Sequence, residues 1–142
     1  MTPMFNCMLA AGVANGGMMM NPYLIDSVVS KYNDRVESFS PKEWKRLMSE
    51  EEARQLALMM RQVVTDGTGS EADGYGYTAY GKTGSAEVRS DLDTNAGFIG
   101  YAEDDDIPGR KLAVSIIVEQ GGSGGSIAAP IARRLFQSYF NR

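Results

Sequence analysis

Histidine is absent from this chain of 142 residues. Without an imidazole, the chain cannot build a Ser-His-Asp or Cys-His nucleophile, or a metal site that contains histidine. Cysteine occurs once, as Cys7, so no disulfide can form within the chain. Because Cys7 lies in the apolar run MFNCMLAAGVA, it is predicted to be a small core residue, with a reactive thiol as the alternative.

Excess positive charge and long apolar runs are also absent. The formal net charge is -4 at pH 7, which disfavours a broad surface for nucleic acid, so no nucleic-acid partner is expected. No apolar run approaches the roughly 18 residues that a transmembrane helix needs. Taken by itself the chain is expected to be soluble, and its hydrophobic fraction of 43% is sufficient for the core of one domain.

Two helices are predicted in the first half of the chain. The first begins at Thr2-Pro3, where a capping hydroxyl precedes a proline at the first helical position, and it stops at Asn15-Gly16-Gly17. The second has Ser49 as its N-cap and Glu52 three residues later, which together predict a capping box. The sequence DGTG ends this second helix.

Strands are predicted on both sides of the second helix. One or two short strands, broken at Asn21-Pro22, are expected in MMMNPYLIDSVVSKY. Three further strands are predicted at about residues 78–88, 95–103 and 111–120. Because only the charged turn DDDIPGR separates the last two, this group is predicted to be an antiparallel meander.

A glycine-rich loop and a helix follow the meander. The loop is GGSGG at 121–125, and SIAAPIARRLFQSYF then predicts an amphipathic helix. The apolar side chains expected on one side of this helix are Ile127, Ile131, Leu135 and Phe136. Helices around a three-stranded antiparallel sheet indicate an α/β protein of the α+β type.

The stretch YGKTGSAEV, residues 80–88, is the candidate site, and the residues alone allow three interpretations. Gly76–Thr83 matches G-x-x-x-x-G-K-[ST], the P-loop motif whose backbone amides cradle the phosphates of a nucleotide. The context argues against it, because a P-loop follows a buried strand and opens a helix. Here GSEADGYG precedes the motif, and a glycine stands where the helix would begin.

The second interpretation places the candidate residues on a strand at the edge of a substrate cleft. Lysine supplies positive charge for an anion, and two hydroxyls point into the cleft. Glycine lets a substrate lie against the backbone, where a free N–H can serve as an oxyanion donor. K-T-G is also a signature of penicillin-binding proteins and β-lactamases. The third interpretation, a solvated hairpin with a surface lysine, stays open on these residues alone. The candidates are Lys82, Thr83, Gly84 and Ser85.

Further motifs follow one another along the chain. They are Thr2-Pro3-Met4, Ala14-Asn15-Gly16-Gly17, Asn21-Pro22, Val63-Val64, Gly67-Thr68-Gly69, Lys82 to Glu87, Phe98-Ile99-Gly100-Tyr101 and Ala128-Ala129-Pro130. In this order, and over nearly the whole chain, they resemble the C-terminal half of a penicillin-binding protein transpeptidase domain, most of all the class B, monofunctional D,D-transpeptidases. The chain departs from that pattern at Gly97, where many relatives have tryptophan, and at Ser85, where threonine is commoner.

The resemblance implies a fold and a reaction. The fold is the C-terminal part of the serine β-lactamase and penicillin-binding-protein-like fold. In the reaction, a serine attacks the D-Ala-D-Ala carbonyl of a peptidoglycan stem peptide, releases the terminal D-Ala and passes the acyl group to an amine. β-Lactams mimic the substrate and acylate the same serine. No metal or organic cofactor is implied.

The resemblance also implies a role for each candidate residue. Lys82 would supply positive potential to the substrate carboxylate and to the proton relay. The hydroxyls of Thr83 and Ser85 would bind that carboxylate, and Gly84 would permit its close approach. The Ser85 N–H would be half of the oxyanion hole, with the N–H of the nucleophilic serine as the other half.

The nucleophile that this reaction needs is not in the sequence. The family carries it in an S-x-x-K motif, with a second S-x-N motif, and no serine here has lysine three residues later or asparagine two residues later. We therefore expect residues 1–142 to be a single partial domain of a longer protein, with both motifs upstream. The longer protein would be anchored at the extracytoplasmic face of the bacterial membrane, and this chain alone would be inactive. A non-catalytic module that binds peptidoglycan or senses β-lactams is the alternative.

The implied partners are the stem peptide, β-lactam antibiotics and the upstream part of the same protein. The strand KLAVSIIVEQ is central in the family sheet, so its partner strand would belong to that upstream part. In this chain residues 112–119 would then be an exposed, apolar edge, which invites pairing with another chain. Self-association is expected, through pairing of this edge or through exchange of a helix between copies, with Ile116 and Ile117 buried by a neighbouring chain.

Overall fold

A computed structural model describes residues 2–87, 89 and 91–140. It contains three α-helices and seven strands within this part of the chain. In chain order these are α1 (Pro3–Ala14), β1 (Met18–Met20), β2 (Ser27–Val29), β3 (Arg35–Ser38), β4 (Glu43–Arg46), α2 (Glu50–Thr65), β5 (Tyr77–Ala86), β6 (Asn95–Asp104), β7 (Lys111–Val118) and α3 (Ala129–Phe140). A 3₁₀ turn at Ser70–Ala72 precedes β5. One turn of π-helix at Gly124–Ala128 (the π-turn) leads into α3.

Both helices predicted in the first half of the chain are confirmed, together with their caps. The Thr2 hydroxyl accepts a hydrogen bond from the Phe5 N–H at 3.3 Å, which satisfies one of the free amides of α1. At α2 the Glu52 N–H donates to the Ser49 hydroxyl at 3.2 Å, while the Ser49 N–H donates to the Glu52 carboxylate at 2.8 Å. This reciprocal pair is the predicted capping box.

The predicted meander is also confirmed. Strands β5, β6 and β7 pair in that order, antiparallel throughout, so the fold is the expected mixture of helices and a three-stranded antiparallel sheet. The register places Lys82 opposite Ile99, and Ile99 opposite Ser115. β5 was expected to reach Val88, a residue that lies outside the described part of the chain.

Each face of this sheet is covered by different helices. On one face α3 covers β5 and β6, and the core there contains Ala79, Phe98, Ala132 and Phe136. On the other face α1 and α2 pack against the sheet, with Tyr101 buried between Val13 and Met60. The sheet is therefore a central layer, and side chains that alternate along a strand point toward different helices.

The predicted apolar side of α3 is confirmed at Phe136 and wrong at Ile127 and Leu135. Ile127 and Leu135 are 40% and 45% exposed, whereas Ala132 and Phe136 are fully buried. The π-turn, in which the Ala129 N–H bonds to the Gly124 carbonyl five residues earlier, changes the direction of the Ile127 side chain relative to those of α3. Alanines on the buried side let the helix approach the sheet closely.

A strand-rich arm, residues 18–46, lies beside this layered core. β1 pairs with β4, and β2 pairs with β3, both antiparallel. The first two strands match the expected short strands, whereas β3 and β4 were not predicted. All side chains of β3 and β4 are exposed, so these strands lack the apolar alternation that reveals a strand. In the described part of the chain, no helix combines the length and the apolar character needed to cross a bilayer.

Candidate active site

Lys82 lies in the second half of β5, on the face that α1 and α2 cover. Its ammonium Nζ donates to the carbonyl of Thr83 at 2.7 Å. The side chain also borders an apolar groove of about 460 Å³ between the two helices. This groove is otherwise lined mainly by residues such as Leu9, Met60 and Ile99, so the ammonium is its one charged group among the described residues.

The hydroxyls of Thr83 and Ser85 lie on the opposite face of β5 from Lys82. Thr83 is 9% exposed, and its hydroxyl shares a short hydrogen bond with that of Thr68. Ser85 is exposed, and its Oγ accepts a hydrogen bond from the Gly124 N–H at 3.2 Å. The strand thus presents a charge on one face and two hydroxyls on the other, and only its unpaired edge is shared by both faces.

A second groove, of about 410 Å³, runs across the sheet next to Lys82. Gly84 and Gly97, which are opposite each other in β5 and β6, leave room for it. A Cβ at Gly97 would come no closer than 3.4 Å to any other atom, so a methyl group there would make only ordinary contacts. The Ser115 hydroxyl is buried at this groove without a hydrogen-bond partner among the described residues.

The π-turn packs against β5 and against the loop that carries Thr68. A Cβ added to Gly124 would overlap the carbonyl oxygens of Gly84 and Gly97, and one added to Gly125 would overlap the carbonyl of Thr68. Only glycine permits this contact between backbones. The turn therefore fixes the position of β5 relative to the loop that carries Thr68.

The Gly76–Thr83 stretch does not form a P-loop. Residues from Tyr77 onward belong to β5 and pair with β6 along the whole strand, so their backbone does not wrap around a phosphate. The strand is followed by the approach to β6, and the described residues of that approach form no helix. A P-loop needs a loop that opens directly into a helix.

The single thiol of the chain belongs to Cys7. Cys7 was predicted to be a core residue, and it is partly buried, with its thiol donating to the carbonyl of Ala113 at 3.4 Å. Burial raises the pKa of the Cys7 thiol, which disfavours the reactive thiolate. Within the described residues no cluster of three His, Cys, Asp or Glu side chains could hold a metal ion.

Two contacts of this site were not predicted from the sequence. Thr68 was assigned only to the end of α2, and Gly124 only to a flexible loop. The signal for both was the glycine content of GTG and GGSGG, since glycines cluster where backbones approach each other closely. Their partners on β5 lie 15 and 39 residues away, which no local pattern encodes.

The comparison with known proteins gives relatives that share most of this chain. The family model of the penicillin binding protein transpeptidase domain matches residues 1–137. The peptidoglycan D,D-transpeptidase PbpA of Mycolicibacterium smegmatis is 34% identical over 94% of this chain, and the stage V sporulation protein D of Bacillus subtilis is 34% identical over 96%. The chain spans 28% and 22% of the lengths of these two proteins.

Solved structures agree with the sequence relatives. The D,D-transpeptidase domain of a peptidoglycan glycosyltransferase from Eggerthella lenta superposes with a TM-score of 0.84 at 30% identity, covering 95% of this chain and 31% of that one. The imipenem acyl-enzyme complex of penicillin-binding protein A from M. tuberculosis gives 0.82 at 28% identity, covering 98% and 31%. Family model, relatives and fold agree with the motif order found in the sequence, and the chain belongs to the penicillin binding protein transpeptidase domain family.

Proposed function

We propose that residues 1–142 are the C-terminal part of the transpeptidase domain of a longer protein, a peptidoglycan D,D-transpeptidase that crosslinks stem peptides by a serine-acyl mechanism and binds β-lactams. The observation that carries this proposal is the Lys82-Thr83-Gly84-Ser85 segment on the unpaired edge of β5. Relatives named as peptidoglycan D,D-transpeptidases, and a solved relative acylated by imipenem, support it.

The edge of β5 is suited to hold a substrate carbonyl. In a strand, the N–H and C=O of one residue point to the same edge, and residues two apart share that edge. The Thr83 carbonyl accepts from the Lys82 side chain, and β6 occupies the other edge, so the Ser85 N–H is directed to the open edge as well. There it acts as half of an oxyanion hole, with the ammonium of Lys82 close by.

The hydroxyls of Thr83 and Ser85 bind the substrate carboxylate from the other side of the edge. A Cβ at Gly84 would have nothing within 4 Å, so this residue does not block the approach of an anion to the edge of β5. Hydrogen bonds to an ionised carboxylate are about twice as strong as neutral ones, so two hydroxyls and one ammonium form an effective anchor.

The nucleophile in this proposal is a serine of the longer protein outside residues 1–142. Its Oγ attacks the D-Ala-D-Ala carbonyl and loses its proton to a neighbouring lysine, and the terminal D-Ala leaves with a proton on its nitrogen. An amine of a second stem peptide then takes the acyl group and restores the serine. The longer protein acts at the extracytoplasmic face of the membrane, where peptidoglycan is assembled.

Labelling with a fluorescent penicillin tests this function. The longer protein is expected to form a covalent adduct of one penicillin per chain, while residues 1–142 alone form none, because no activated serine lies within them. Intact-mass spectrometry of both proteins after incubation measures the outcome.

Two results would contradict the proposal. A stoichiometric adduct on residues 1–142 would mean that a nucleophile lies within this chain. Absence of an adduct on the folded longer protein would remove the transpeptidase assignment and favour the non-catalytic binding module.

We also propose that residues 1–142 self-associate through β7. This strand is an edge of the sheet in the described part of the chain, and Ile117 on it is 42% exposed. An unpaired apolar edge pairs readily with another chain.

Sedimentation velocity is expected to show a dimer of residues 1–142. Ile117→Lys should raise the dissociation constant of this dimer at least tenfold. The matched control is Val36→Lys, at an exposed position of the arm on β3. A chain that stays monomeric at high concentration rules this association out.

A further inference from the structure

The hydroxyls of Thr83 and Ser85 each have a hydrogen-bonding group directly behind them. The group behind Ser85 is the backbone N–H of Gly124, at 3.2 Å from Oγ. A backbone N–H can only donate, so Ser85 Oγ is the acceptor in this bond. The proton of Ser85 is therefore not used within this contact and is available to an acceptor in front of the strand.

The group behind Thr83 is the hydroxyl of Thr68, and here the direction of the bond is not fixed by chemistry. Either hydroxyl could donate, and only one of them does at a time. If Thr83 donates to Thr68, the Thr83 proton cannot be donated to a ligand. If Thr68 donates to Thr83, the Thr83 proton is free to reach a ligand.

The position of Thr68 is held by the same π-turn that holds Ser85. Its carbonyl lies where a Cβ of Gly125 would be, so the backbones of the GTG loop and the turn are in contact. Thr83 is 9% exposed, which leaves its hydroxyl few alternatives to Thr68 and to a ligand at the edge of β5. The π-turn is therefore in contact with both Ser85 and Thr68.

We propose that Thr68 is a positioning residue, which donates its proton to Thr83 Oγ1 and thereby directs the Thr83 proton toward the substrate carboxylate. The role repeats what the Gly124 N–H does for Ser85. It rests on the proposed function, in which these two hydroxyls bind that carboxylate. A bound anion favours this direction, because a hydroxyl that accepts one hydrogen bond donates a stronger one to a charged group.

The test compares a carboxylate ligand with one that lacks the charge. In the longer protein, the acylation rate constant is measured for a penicillin and for its methyl ester, with wild type and with Thr68→Val, which keeps the shape but removes the hydroxyl. We expect Thr68→Val to slow acylation by the acid about tenfold, the size of one hydrogen bond to a charged group. The rate with the ester should change less than twofold.

Two further variants complete the test. Thr68→Ser keeps the hydroxyl and is expected to restore most of the rate with the acid. Thr68→Ala removes the hydroxyl with no added bulk and supplies the same measurement if the valine variant does not fold. Thermal unfolding of each variant shows whether the fold is kept.

The outcomes separate this role from the proposed function. If wild type is acylated and Thr68→Val or Thr68→Ala slows the reactions of the acid and of the ester equally, the positioning role is overturned. Thr68 then has only a structural role. A serine variant as slow as the valine variant overturns it too. A folded wild type that is not acylated at all removes the proposed function, and the role of Thr68 with it.

Discussion

Replacing Lys82 with alanine is expected to slow acylation of the longer protein by penicillin about 10²–10³-fold, the usual cost of removing one preorganised donor that stabilises developing charge. The ammonium is the only charged group that lines the apolar groove in the described part of the chain, so no neighbour replaces it. Stopped-flow measurement of the acylation rate constant gives the result.

The loss at Lys82 should be specific to the reaction. The side chain is exposed, so its removal opens no cavity in the core, and the unfolding midpoint of the variant should match that of wild type. Lys42→Ala, which removes an exposed lysine from the arm, is the matched control and should acylate normally. Acylation of Lys82→Ala within a few-fold of wild type would make Lys82 a surface lysine and exclude its role in the site.

Gly124→Ala is expected to destabilise the longer protein by about 2–4 kcal/mol. The new methyl group would overlap the carbonyls of Gly84 and Gly97, which belong to paired strands and cannot move aside separately. Overpacking costs about 1–3 kcal/mol, and loss of the bond from the Gly124 N–H to Ser85 adds roughly 1 kcal/mol. Denaturant unfolding measures the change.

A second glycine of the same region provides the control. A Cβ at Gly97 would make only ordinary contacts, the closest at 3.4 Å. The free energy of unfolding of Gly97→Ala should therefore lie within about 0.5 kcal/mol of the wild-type value. If the two alanine variants are equally stable, the close approach of the π-turn to the sheet is incorrect.

Features set by neighbouring residues were predicted well. The caps of α1 and α2 and the order of the meander depend on contacts within a few residues or on short turns, and all are confirmed. The strands β3 and β4 depend on pairing with β2 and β1 rather than on burial, so the apolar pattern gave no sign of them.

The site was predicted as a set of residues but not as an arrangement. The motif identified Lys82, Thr83 and Ser85, yet the expectation that both hydroxyls point into one cleft with the lysine overlooked the alternation along β5. Their opposite faces follow directly from a strand. The contacts of Thr68 and Gly124 could not be predicted, because they depend on how the π-turn meets the sheet.

The covering of β7 by α1 has a consequence for synthesis of the chain on the ribosome. The thiol of Cys7 bonds to the carbonyl of Ala113, and Lys111 Nζ bonds to the carbonyl of Ala14, so these contacts join residues 106 and 97 positions apart. At a synthesis rate of about 5–20 residues per second, β7 is made roughly 5–20 s after α1. During that interval α1 can contact β1 and α2, which are made earlier, while its side that faces β7 stays exposed to chaperones.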